Sequence, residues 1–183
     1  MSEVYLKKAK KTPETGTSET RKIVERMLSE IEIGKETIAK KYASDLDGFN
    51  GDIIVSQESI ENASKMVPEK LKDDIKFAHE RIKKFAEAQK QSINEFETEL
   101  SPGLWAGQKL IPIQTAGCYV PGGRYAHVAS AIMSITTARV AGVENIIACS
   151  APKGEDGPNP AILYTMNYCW IRTCLLYTSP SPR

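Results

Sequence analysis

From Ser18 to Gln91 the apolar residues recur at intervals of three and four. Ile23, Met27 and Ile31 draw one stripe, and Val24, Leu28 and Ile38 widen it. That spacing predicts an amphipathic helix from Ser18 to about Ser44. Ser18 is the expected N-cap, with Arg21 rather than an acid at the capping-box position. Asp45–Gly51 carries turn residues, Ile53–Val55 is a short strand candidate, and Ser56 is placed to cap a brief helix running through Lys65. Pro68 opens the next helix. Its apolar positions Leu71, Ile75, Ala78, Ile82 and Phe85 lie 4, 3, 4 and 3 apart, and it ends near Gln91. The Lys and Glu residues on the remaining faces read as solvated surface. His79 reads as a rim residue with no chemical role.

The pattern changes at Pro102. Leu104–Gln114 mixes apolar and polar positions and reads as extended, with Pro112 at an edge or bend. Ala116–Val120 is a short strand. Val128–Val140 is a helix of Ala, Ile, Met, Ser and Thr, expected to be buried on several sides and stopped by Gly142. Asn145–Cys149 is a buried-type strand, and a helix starts at Asn159 with Pro160 in its first turn. Strand, helix, strand, helix implies a parallel sheet. The fold class is therefore α/β: a mainly helical N-terminal region (18–101) followed by the first part of an incomplete Rossmann-like domain (102–169). Residues 1–17 form a polar, Lys-rich leader.

Composition narrows the classes of partner. The 183 residues carry 24 Lys and Arg against 23 Asp and Glu, a net charge of +1. That balance gives no footing for nucleic acid, and no apolar run is long enough to suggest a membrane span. The first residues are basic but lack the apolar core of a secretory signal. Cys118, Cys149, Cys169 and Cys174 form no CxxC pair, which points to reduced thiols and a cytoplasmic protein rather than a zinc site. The ending CLLYTSPSPR, Cys174–Arg183, resembles the translation of a transposon-based sequencing adapter, residue for residue. Such an ending contributes nothing to the fold expectation, as with an expression scar, and Trp170–Thr173 shares the suspicion. On this expectation the genuine part is electrically neutral and is the N-terminal piece of a longer protein.

The candidate chemistry lies between Gly117 and Gly142. A strand ends in Pro121-Gly122-Gly123 and a small-residue helix follows, which brings backbone N–H groups to a crevice suited to an anion. Taken by themselves, the glycines are explained by a tight turn that a β-carbon forbids. Their spacing does not make G-x-G-x-x-G, and no phosphate-loop Gly-Lys-Ser/Thr is present.

The residues say more than the spacing. GCYVPGG, then Ser130, Met133 and ARVAGVENIIACSAPK (Ala138–Lys153), together with PGLWAGQKLIPIQTAG (Pro102–Gly117), resemble the histidinol dehydrogenase family over Ser18 to Cys169. That resemblance implies a homodimeric, zinc-dependent, NAD-linked dehydrogenase that oxidises a primary alcohol to a carboxylate in two hydride transfers. It assigns NAD contact to Tyr119, for which packing on the sheet is the plain alternative. The family's zinc ligands and catalytic Glu-His pair lie in its later half, so no catalytic residue is assigned here, and neither His79 nor His127 takes their place.

Just past the turn, Arg124-Tyr125-Ala126-His127 replaces the small residues and prolines common in the family. Two potentially cationic side chains beside a helix N-terminus suit an anionic small-molecule substrate. The segment looks like the branch that oxidises 2,3-dihydroxypropane-1-sulfonate to sulfolactate, with Arg124, His127 and Ser130 as sulfonate contacts. The alternatives are an Arg124 paired with a cofactor phosphate or surface carboxylate, and a His127 that caps the helix. Oxidation of histidinol to histidine is the rival within the family, and a non-catalytic nucleotide-binding domain the rival outside it.

Overall fold

The computed structural model describes residues 18–122, 125–153, 157–169 and 173–176. The chain divides into two compact units, with the boundary between Ala39 and Lys40. The first unit holds most of α1 (Ser18–Asp47). The predicted helix is present, but Lys35 takes φ 47° and ψ −130° and divides it. Ser18 is the first helical residue, so the cap position falls on Thr17, outside the described residues.

In the second unit, α2 (Gln57–Met66) starts as expected: Ser56 Oγ accepts the Ser59 N–H at 3.2 Å. The strand anticipated at Ile53–Val55 is reduced to a single bridging residue, Ile54. α3 (Glu69–Gln91) follows Pro68. Its Ile75 is buried, and Leu71, Ala78 and Ile82 pack against the core. Phe85 does not continue that stripe. It is 66% exposed, and Ala86 is buried instead. A 3.6-residue period carries the buried line from Ile82 to position 86, so a strict 4-3-4-3 spacing, which averages about 3.5, falls short on a helix of six turns.

β1 (Phe96–Ser101) and β2 (Leu104–Gln108) form an antiparallel hairpin across Pro102-Gly103, with Gly103 at φ +82°. The sequence reading placed no strand at 96–101 and carried the extended run to Gln114. The strand in fact stops at Gln108. β3 (Thr115–Val120), β4 (Asn145–Ser150) and β5 (Thr173–Leu176) make a parallel sheet in the order β3-β4-β5. α4 (Val128–Ala141) and α5 (Pro160–Tyr168) are the crossovers. Gly142 closes α4 at φ +95°, and Asn159 Oδ1 caps α5 through the Ala161 N–H. The chain is thus mixed α/β.

Consecutive strands in consecutive positions, joined by right-handed crossovers, put both helices on one face. Cys118, Val120, Ile146 and Ala148 point into that layer, against Ala131, Ile132 and Ile135 of α4 and Ile162 and Met166 of α5. α3 packs on α4, and α2 on α5. β5 takes in Cys174–Leu176, residues the sequence reading set aside. Cys174 is buried with Sγ 3.6 Å from Met166 Sδ, and its carbonyl accepts the Val55 N–H at 3.1 Å. A short apolar run fills an open parallel edge whatever encodes it, so the pairing does not speak to the origin of these residues.

Candidate functional site

The sheet's carboxyl edge is where open α/β folds place ligands. β3 delivers Tyr119 there as its second-last residue. Burial along β3 alternates, with Cys118 and Val120 buried and Thr115, Gly117 and Tyr119 exposed. Tyr119 therefore stands on the face opposite α4, with 42% of its surface exposed. Its ring is not consumed by packing beneath a helix.

Pro121 and Gly122 follow at once. Gly122 is buried and its φ is not in the left-handed region. Glycine is needed there for space: a Cβ would stand 2.5 Å from Ser150 Oγ and 3.2 Å from both the Ala151 carbonyl oxygen and Ile162 Cδ1. This corrects the expectation of a backbone shape forbidden to other residues. Gly123 and Arg124 lie outside the described residues, and with them one of the three proposed sulfonate contacts.

His127 is the N-cap residue of α4, with φ −82° and ψ 62°. Its carbonyl accepts the Ser130 N–H at 3.0 Å, but its exposed side chain makes no capping hydrogen bond. The capping role weighed for His127 is thus not performed by the imidazole. An α-helix leaves its first N–H groups without intrahelical acceptors, so this end favours an anion. Ser130 is half-buried in the first turn, and its carbonyl accepts from Ser134 Oγ at 2.8 Å. The fold thus gathers Tyr119 at a strand end, and His127 and Ser130 at the following helix start.

Two concavities lie apart from these residues. One of about 740 Å³ is walled by Ser56, Ser59 and Asn62 on one side and Lys153, Gly157 and Asn159 on the other. It sits off the carboxyl end of β4, yet its polar groups serve the fold. Ser56 and Asn159 cap helices, and the Lys153 N–H donates to the Gly157 carbonyl at 2.7 Å. The other, about 410 Å³, is largely apolar and lies between the ends of α3 and α4. The sequence reading found neither, because both are assembled from distant segments.

Among the described residues, no three His, Cys, Asp or Glu side chains gather to hold a metal ion. The four thiols are free. Burial pushes Cys118 and Cys149 upward, Cys169 to about 11 and Cys174 to about 12, so none resembles an activated nucleophile. His79 packs edge-on against Tyr168, ring centres 5.1 Å apart, as the rim residue expected. No described helix is long and apolar enough to cross a membrane.

Comparison with known proteins adds the context. The family model "Histidinol dehydrogenase" matches residues 10–177. A histidinol dehydrogenase homologue of Pelagibacter ubique is 54% identical over 170 residues, covering 92% of this chain and 40% of its own. The sulfopropanediol 3-dehydrogenase of Ruegeria pomeroyi is 48% identical, covering 93% of this chain and 39% of its own. The crystal structure of histidinol dehydrogenase from Elizabethkingia anophelis superposes with a TM-score of 0.81 at 29% identity, covering 92% of this chain and 39% of that one. The chain thus spans about two fifths of the length of the relatives it matches.

Proposed function

The chain belongs to the histidinol dehydrogenase family, a family of oxidoreductases, and from that membership we propose that the whole protein is an NAD-linked alcohol dehydrogenase that oxidises 2,3-dihydroxypropane-1-sulfonate to sulfolactate. In this reading the segment described here is the binding edge of the site. NAD, when bound, supplies the hydride acceptor. The Tyr119 ring, 42% exposed at the end of β3 on the face away from α4, offers it an aromatic surface.

The observation that carries the substrate assignment is the start of α4. His127 occupies the cap position without spending its side chain on the cap. Arg124 precedes it by three residues, and Ser130 sits in the first turn. A sulfonate is a fixed anion with three acceptor oxygens, and it gains from a guanidinium, an imidazole N–H donor and a helix N-terminus together. Histidinol, a cationic amino alcohol, offers no anion to such a set. The 48% identity to a sulfopropanediol 3-dehydrogenase supports the same direction. Zinc enters this proposal only for the whole polypeptide. The described residues offer it no ligand set. A homodimer in the cytoplasm belongs to the same proposal.

The test is NADH formation by a full-length enzyme carrying this segment, with dihydroxypropanesulfonate and histidinol in parallel. Turnover of the sulfonate alone is expected. Robust histidinol oxidation without sulfonate activity would overturn the assignment. Arg124→Ala should raise KM for the sulfonate by about tenfold or more, the scale of a lost charged hydrogen bond. An unchanged KM removes Arg124 as the anchor.

A further inference from the structure

β5 is held from both sides. It lies parallel to β4, with Thr173 opposite Ile147 at one end and Leu176 opposite Ser150 at the other. On its far side the Cys174 carbonyl accepts the Val55 N–H at 3.1 Å, next to the bridging residue Ile54. The edge of β4 and the main chain at 54–55 are thus the two walls of a slot one strand wide. Successive residues of a strand turn their main-chain groups to opposite sides, so Cys174 bonds toward Val55 and Leu175 turns to β4. Among the described side chains of β5, Cys174 enters the core. It stands in register with the fully buried Ala148 and shares its inward face. Its Sγ lies 3.6 Å from Sδ of Met166, which is itself fully buried, and Val55 packs on the same cluster. A small apolar side chain fits this position. A large one presses on Met166, and a charged one is buried without a partner.

We propose that the slot between β4 and Val55 is a receiving site for an extended peptide segment with a small apolar inward side chain, and that a free peptide of this pattern replaces residues 173–176 in it. Strand addition works in this way: main-chain hydrogen bonds give affinity, and the side chain that enters a pocket gives selectivity. The slot offers the first on two sides, from β4 and from Val55, and the second beside Met166. The outer side of β3 offers neither, since no described strand lies beyond it. A short peripheral strand opens at lower free energy than the layers it leans on, so β5 leaves the slot while β3, β4, α4 and α5 stay packed. The inference rests on the contacts of β5 and is independent of the substrate assignment.

The probe is the peptide Arg-Thr-Ala-Leu-Leu-Tyr, the 172–177 sequence carrying Cys174→Ala. It is added in excess to the full chain, and labelling of each thiol by a disulfide reagent is followed by mass spectrometry. A peptide that takes the slot holds β5 out, so labelling of Cys174 should quicken by about tenfold or more. Cys118 and Cys169, buried elsewhere in the core, should stay protected. A peptide with Asp in place of the alanine, or N-methylated at the leucine matching Leu175, should have no effect. Unchanged labelling of Cys174 overturns the proposal. So does equal quickening by the Asp peptide, or a parallel rise at Cys169, which marks loosening of the whole fold. A second measurement uses the full chain with Cys174→Asp, whose carboxylate cannot stay in the slot. Amide exchange at Val55 and at 147–150 should be faster than in the parent, and the alanine peptide should slow it again by about tenfold. A folded variant that the peptide does not protect overturns the proposal, and where the variant does not fold the thiol measurement decides.

Discussion

Replacing Gly122 by alanine isolates a purely steric requirement at the strand end. The backbone there is open to any residue, since φ lies outside the left-handed region. The added methyl would meet Ser150 Oγ at 2.5 Å, the Ala151 carbonyl oxygen at 3.2 Å and Ile162 Cδ1 at 3.2 Å. Ser150 and Ile162 are both fully buried, so neither yields into solvent. The Ile162 methyl can rotate away, and among the described residues Ser150 Oγ is held by a long 3.5 Å contact to the Ala151 carbonyl. The backbone carbonyl cannot move without shifting the start of the β4–α5 loop. Overpacking of this kind costs about 1–3 kcal/mol, and three contacts in a closed space place Gly122→Ala in the upper half of that range. For a domain of this size about 2–3 kcal/mol lowers Tm by roughly 4–12 °C. Thermal melts by circular dichroism would measure it. Ser150→Ala removes the nearest atom, so the double variant should regain at least half of the loss, a coupling seen only between touching residues. A neutral Gly122→Ala, or strictly additive effects in the double variant, would refute the steric account.

Gly142 makes the complementary case. A Cβ there meets only Lys90 Nζ at 3.8 Å, but φ is +95°. Gly142→Ala should therefore cost about 1 kcal/mol through conformation alone, with Gly142→Asn milder in the same urea titration. Thiol labelling should follow burial: the half-buried Cys149 reacts first with a disulfide reagent at mild alkaline pH, and Cys118, Cys169 and Cys174 only after unfolding. Rapid native labelling of Cys174 would contradict its place beside Met166. Burial, with Lys83 nearby, holds His79 below its usual 6.5, against the weaker pull of Glu80. The unfolded chain then binds the proton more readily, so the contribution of His79 is intact above pH 6.5 and is lost as pH falls through the lower folded value. Tm should drop more between pH 7 and pH 5 in the parent than in His79→Gln, and parallel profiles would remove His79 as the cause.

The elements with strong periodicity were legible. The Ser56 cap, the Pro68 start, the α4 stop at Gly142 and the Asn159-Pro160 entry to α5 are local chemistry, and each stands where the residues put it. The hairpin is not legible, although Phe96-Glu-Thr-Glu-Leu alternates and Pro102-Gly103 follows. Both strands being exposed, no buried side separates that alternation from a loop. The break at Lys35 leaves no mark in the hydrophobic stripe, because apolar spacing records which face is covered and not whether the axis is straight. In the candidate site, Tyr119 and His127 could be named from the turn motif. Which sheet face Tyr119 takes, and whether His127 caps, depend on strand register and on where the helices pack.

Gly122 shows how a motif can be right in place and different in cause. Pro-Gly-Gly suggested a tight turn, yet the described glycine is needed because the end of β3 lies against the end of β4. All strands of a parallel sheet present their carboxyl ends at one edge, so the Tyr119 turn and the loop bearing Lys153 and Asn159 flank the same edge. Gly122 and Ser150 approach closely where the two loops leave their strands. Ser150 lies 31 positions from Tyr119 in sequence but on the neighbouring strand, where β3 and β4 pair Tyr119 with Cys149 and Val120 with Ser150. Enlarging Ser150 should therefore disturb the turn as directly as a change within the turn itself. The site's shape depends on a contact between two strand ends, which no contiguous motif can encode.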